Sequence, residues 1–248
     1  MKKHIALLTA TAASIMITAG LVSAATIAST TYSPGTTWDV DNVATWATTG
    51  NKMDGIKVTA YFNGKDPETK TWADNMGAVG NGWSLTMPVP NAYGFSGYED
   101  NTWYADAWWI LSNTGTDAIT ALVIDGFLGN TVFDVRPEQY GSTTTTGSVE
   151  GRSALAKSDV STYLSVAVEY NNLVSLNGAV PVGDLYQTVT FNFLPNTGYL
   201  AAGDSFWFAL DTDNVNAVPE PATMLLFGIG AVGLGAFRKR KALNVLIS

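Results

Sequence analysis

The chain has 248 residues, 21 Asp and Glu against 13 Lys and Arg, no cysteine and one histidine, His4. With no cysteine and no histidine beyond the fourth residue, Ser-His-Asp and Cys-His catalysis and thiolate- or imidazole-rich zinc or copper sites are excluded for the rest of the chain. Disulfides are equally excluded, so the fold holds by its core alone, and any metal would be a hard cation held by oxygen, calcium first.

Met1-Lys2-Lys3-His4 is a basic start, Ile5 to Leu21 is largely apolar, and Val22-Ser23-Ala24 is a small-residue site. This pattern predicts a secretory signal peptide over residues 1–24, helical in its apolar part and cleaved near Ala24–Ala25. Six of the 13 cations lie in this leader and in a cluster near the C-terminus. The segment 26–216 therefore holds seven cations against 20 acids, a net charge of −13. Such a surface disfavours nucleic acid, whose binding requires phosphate-neutralising Lys and Arg.

Taken in order, Thr26 to Thr49 is polar and Thr-rich, with a first strand expected over Thr36–Thr45. Asp54–Asn63 alternates Ile56, Val58, Ala60 and Phe62 with polar residues, a strand with one buried face. Gly64-Lys65-Asp66-Pro67 is a turn. Lys70–Met76 reads as a helical turn or loop, Gly77–Gly82 as a flexible connector, and Trp83–Val89 as a short strand. Thr102–Asn113 is an aromatic strand. Asn113-Thr-Gly-Thr-Asp117 then turns the chain into Ile119–Phe127, and the two strands read as a hairpin. Thr131–Val135 is a short strand, and Arg136–Ala154, with Ser142-Thr-Thr-Thr-Thr146, a polar loop. Val160–Tyr170, Gln187–Phe193 and Ser205–Asp211 complete the strands, and Asp211–Ala217 reads as a polar tether.

Eight or more short strands with regular turns predict an all-β body, an antiparallel β-sandwich of jelly-roll or Ig-like type. No fixed repeat and no Thr-x-Thr ladder is present, which argues against a solenoid. Within this body Asp211-Thr-Asp213-Asn214 places oxygen ligands at alternate positions, so Asp211 and Asp213 are calcium candidates, although the Gly and distal Glu of an EF-hand loop are missing. Asp39 and Asp41 are a weaker version. Glu99 and Asp100, with Asp106 or Glu138, offer carboxylates for a glycosidase pair, which needs two of them about 5–9 Å apart. Trp72, Trp83, Trp103, Trp108, Trp109 and Trp207 are either core or a sugar-stacking platform, and core is the commoner use.

The C-terminus is built differently. Val218-Pro219-Glu220-Pro221 cannot be helical, because two prolines remove two N–H donors and fix φ. Ala222–Phe237 is uncharged, and as a helix its sixteen residues would rise roughly 24 Å. Flanking residues would make up the difference to a hydrocarbon core of about 30 Å. Arg238, Lys239, Arg240 and Lys241 then act as a stop-transfer cluster on the cytoplasmic side. The predicted organisation is thus a signal peptide (1–24), a β-sandwich body (25–216) and an anchoring segment (217–248, transmembrane over 222–237).

This three-part order over about residues 216–241 resembles the PEP-CTERM sorting signal of exosortase-bearing Gram-negative bacteria, a segment also catalogued as an "ice-binding protein C-terminal domain". The resemblance implies that Pro219, Glu220 and Pro221 are the recognition motif of a membrane exosortase. The expected protein is exported through the Sec translocon, anchored in the inner membrane, processed by exosortase and placed at the cell surface or in the extracellular matrix. Its expected role there is non-enzymatic, structural or adhesive, with exopolysaccharide as a partner and no cofactor. The alternatives are a carbohydrate-binding or carbohydrate-active protein using carboxylates and aromatics, and a calcium-stabilised adhesin.

Overall fold

The computed structural model describes residues 25–35, 38–45, 48, 50–73, 77–87, 108–135, 151–157, 164–178, 184–196 and 198–217. The expected signal peptide, Ala24 of its cleavage site, Trp103, the acids Glu99, Asp100, Asp106 and Glu138, and everything from Val218 onward lie outside the described residues. Among the described residues no helix is long and apolar enough to cross a membrane.

The described chain is all-β. Fourteen strands run in order as β1 (Thr26–Ser33), β2 (Trp38–Thr45), β3 (Lys57–Phe62), β4 (Glu68–Thr71), β5 (Ala78–Gly80), β6 (Trp83–Thr86), β7 (Trp109–Asn113), β8 (Ile119–Asp125), β9 (Thr131–Asp134), β10 (Leu155–Ala156), β11 (Ser165–Leu176), β12 (Leu185–Phe193), β13 (Ser205–Ala209) and β14 (Thr212–Ala217). They form a nine-stranded sheet, in the order β1-β11-β2-β14-β9-β12-β8-β3-β4, and a five-stranded sheet, β10-β13-β7-β6-β5. Because β12 also pairs directly with β11, the run β11-β2-β14-β9-β12 closes on itself in a barrel-like ring.

Alternation dictates which side chains enter the core. In β12, Val189, Phe191 and Phe193 are buried while Thr190 and Asn192 are half-buried. In β13, Phe206 and Phe208 are buried while Ser205 and Trp207 are half-buried. The two sets meet between the sheets. The Phe191 ring centroid lies 4.4 Å from that of Phe208 and 5.8 Å from that of Phe206, and Phe193 stands edge-on to Phe206 at 5.4 Å. Each such ring contributes about 1.5–3 kcal/mol by burial, and each good pair roughly 0.5–1.5 kcal/mol more. Trp72, Trp83, Trp108 and Trp109 are fully buried, as the core reading of the tryptophans expects, whereas Trp207 is half-buried. Trp72 donates its indole N–H to the Gly50 carbonyl at 2.8 Å, which satisfies its polar edge in the core.

Several expectations change. The strands on either side of 114–118 are not a hairpin: β7 pairs with β6 and β13 in the small sheet, and β8 with β3 and β12 in the large one. The turn carries the chain from one sheet to the other, because Trp109 and Leu111 must face Leu122 and Ile124 across a shared core. The large sheet is mixed rather than purely antiparallel, since β1 and β2 both run parallel to β11. Only strands joined by a short turn are forced antiparallel, and these partners lie about 140 residues apart in the chain, as Thr26 pairs with Ser165 and Trp38 with Val174. Thr26–Ser33 is a strand that the polar composition hid. As β1 it is an edge and buries little. Lys70 and Thr71 close β4 rather than begin a helical turn, and Ala78–Gly80 is strand β5 rather than a connector. The expected tether is strand β14, held between β2 and β9 inside the ring.

Candidate functional site

Asp211 and Asp213, the stronger of the two calcium candidates, fall within the described residues. Neither is on a solvated loop: Asp211 is 4 % exposed and Asp213 1 %. Asp213 sits in β14 opposite Val132 of β9, and Asp211 immediately precedes that strand. The backbone brings further acids to the same place. Asp134 N–H donates to the Asp211 carbonyl at 3.1 Å, Val135 N–H to the Asp184 carbonyl at 2.8 Å, and Arg152 N–H to the Asp134 carbonyl at 3.2 Å. Asp134 and Asp184 are buried as well. Gly151 lies directly against the Asp134 carboxyl, with no room for a side chain at that position.

Packing carboxyls together out of water penalises ionisation. Burial, then the neighbouring Asp213 and Asp134, hold the Asp211 carboxyl well above its usual range, while Arg152 and the Thr212 N–H pull weakly the other way. Its Oδ2 is buried and makes no hydrogen bond. Tyr170, fully buried, is raised in turn, chiefly by desolvation, and its hydroxyl oxygen accepts the Ala154 N–H at 2.8 Å. The arrangement favours the protonated form of the Asp211 carboxyl. Among the described residues no group of three or more acidic side chains is placed so as to hold a metal ion. Asp39 is exposed and accepts the Ser175 hydroxyl; Asp41 is exposed.

Sequence reasoning missed Asp134, Asp184 and Arg152. The available signal was an acid closing an otherwise apolar run, Val132-Phe133-Asp134-Val135, where a solvated residue is out of place. A second polar feature, a cleft between three turns, left no sequence signal beyond the turns themselves.

The sorting residues follow the body in the sequence. β14 ends at Ala217, and the sorting residues Pro219, Glu220 and Pro221 follow within four positions, ahead of the apolar stretch and Arg238–Lys241. The family model described as the PEP-CTERM protein-sorting motif matches residues 217–241. The chain carries a PEP-CTERM sorting signal. The match supports an exported surface protein targeted to exosortase through a membrane-linked signal. No curated protein and no solved structure matches the chain. The sorting signal therefore begins at the residue where the last described strand ends, with no intervening linker.

Proposed function

We propose that the chain is exported by Sec, held in the inner membrane by residues 222–237 with Arg238–Lys241 on the cytoplasmic side, and handed to an exosortase that recognises Pro219-Glu220-Pro221. The match of residues 217–241 to the sorting motif carries this reading. In this reading the body is a β-sandwich, closed into a ring at one end, that acts at the cell surface or in the extracellular matrix as a structural or adhesive module. The role is non-enzymatic. Beyond His4 the chain offers neither histidine nor cysteine, and the carboxyls that gather in the body are sealed from solvent.

The test is a Pro219→Ala/Glu220→Ala/Pro221→Ala variant, followed by size and by cell fractionation in a host with an exosortase. The variant should accumulate as the longer, membrane-bound form while the parent chain is shortened and released outward. Identical processing of the two chains overturns the sorting reading.

A further inference from the structure

At one end of the molecule three turns converge on a cleft of about 290 Å³. Phe62 and Lys65 line it from the β3–β4 connection, Asn81 and Gly82 from the β5–β6 turn, and residues 114–117 from the crossing between sheets. We propose that this cleft binds a single neutral sugar ring, as a terminal or branch residue of a glycan.

The cleft is pre-formed. The Gly82 carbonyl accepts two N–H groups, from Thr114 at 2.9 Å and from Gly115 at 2.7 Å, and so locks two turns together. Gly82 has φ +81°, and a Cβ there would lie 2.7 Å from the Gly115 Cα, so both the conformation and the close approach require glycine. Asn113, 1 % exposed, braces the third turn: its Oδ1 accepts the Gly115 N–H at 3.1 Å, and its Nδ2 donates to the Asp117 and Leu200 carbonyls, each at 2.9 Å. Glu68 fixes the second turn by accepting the Asn81 N–H at 3.0 Å. All these anchors use backbone groups or residues outside the cleft. The side chains of Asn81, Thr114, Thr116 and Asp117 are left to a ligand, and no hydrogen bond between them spans the opening. A site that needs no ordering on binding keeps more of its contact energy.

The lining chooses the ligand class. Asp117 accepts only, Lys65 donates only, and the Asn81 amide and the threonine hydroxyls do both, which suits a molecule carrying several hydroxyls. Phe62 supplies one half-buried apolar wall, with the Lys65 Nζ resting 4.5 Å from its ring centroid. The one cation and one anion cancel, so an anionic ligand gains from Lys65 what it loses to Asp117, and a neutral ring is preferred. The cleft, about 290 Å³, is just under the usual range for ligand pockets of about 300–1,000 Å³, room for one pyranose ring. This inference does not depend on the sorting signal. The cleft would bind whether or not the tail is processed.

The experiment is saturation-transfer NMR on the full chain in a detergent without a sugar headgroup. The probes are methyl α-D-glucopyranoside, methyl β-D-galactopyranoside and methyl α-D-mannopyranoside at millimolar concentration, with glucuronate as the anionic comparison. At least one neutral glycoside should receive saturation. An Asn81→Ala/Asp117→Ala variant should weaken it about tenfold or more, equivalent to about 1.4 kcal/mol, with an unchanged melting temperature. Asp117→Asn, which keeps the side-chain shape, serves as the second variant and should also weaken it. Transfer to none of the three glycosides, transfer undiminished in both variants, or preference for glucuronate each overturns the assignment. A failure here leaves the processing experiment on residues 219–221 untouched, so the two readings fall separately.

Discussion

Asp134 at the end of β9 and Asp211 just before the adjacent β14 are joined by a backbone hydrogen bond, the Asp134 N–H to the Asp211 carbonyl at 3.1 Å. Both side chains are buried. The strand pairing therefore forces carboxyls into proximity, and the charge conflict is relieved at Asp211, whose pKa is raised by burial first and by Asp213 and Asp134 next.

The sign of the resulting pH dependence follows. An Asp211 that keeps its proton in the folded state and loses it near the ordinary 3.8 when unfolded gives a folded state that binds more protons. The parent protein then loses stability through this group as pH rises above about 4. Asp211→Asn mimics the protonated acid and escapes that loss. Its melting temperature relative to the parent should climb as pH rises above about 4. A difference that stays flat or shrinks over this window would show an ionised Asp211 compensated by Arg152.

The same cluster makes a statement about calcium. Among the described residues no group of three or more acidic side chains is placed so as to hold a metal ion, and Arg152 stands beside the carboxyls. Millimolar calcium and EDTA should leave the melting temperature within about 1 °C of each other, since a site occupied at a hundred times its Kd would add about 2.7 kcal/mol. A rise of several degrees in calcium, lost in Asp213→Asn, would establish the cation site instead.

Glu68 behaves in the opposite sense. The Lys70 ammonium 2.9 Å away, the Asn81 N–H and the Trp83 indole N–H at 2.8 Å bring its carboxyl down to about 2, against a desolvation that opposes them. Here the folded state binds fewer protons, so the contribution is complete above about pH 4.5 and is lost as pH falls toward 2. The side chain is 22 % exposed, and solvent screening reduces the effect to roughly 1 kcal/mol. Glu68→Gln should be less stable than the parent at pH 7 by that amount and equal to it near pH 2, as measured by urea unfolding.

Phe191 is the contact point of the two sheets, against Phe208 at 4.4 Å and Phe206 at 5.8 Å. Phe191→Ala should cost about 3–5 kcal/mol, the range for removing a buried aromatic ring. A loss below about 1 kcal/mol would mean that the sheets are not packed through this cluster.

β14 makes a prediction about where the body ends. A chain stopped after Ala217 keeps the strand that closes the ring between β2 and β9, and should melt cooperatively at the temperature of the full chain. A chain stopped after Asp211 loses Val215 from the apolar cluster around Trp38 and Val132, opens the ring and leaves β2 and β9 each with one unpaired edge. It should be unfolded or aggregated by circular dichroism and light scattering. Equal melting of the two truncations would return residues 212–217 to the status of a tether.

Much of this protein is written locally. The alternation in Asp54–Asn63, Gln187–Phe193 and Ser205–Asp211 marks strands with one buried face, because a side-chain period of two is a property of the extended backbone itself. The sorting signal is likewise a linear text of a proline-bounded acid, an uncharged stretch and four cations, whose meaning does not depend on what it packs against. Neighbours in space decided the rest. Thr26–Ser33 and Thr212–Ala217 carry weak or polar patterns and become strands because β11, β2 and β9 supply hydrogen-bond partners. Trp109–Asn113 and Ile119–Asp125 look like a hairpin but part into different sheets, because both must fill one core. Asp134 meets Asp211, and Asn81 meets Asp117, only through pairings between residues far apart in the chain, and no local pattern encodes such a meeting.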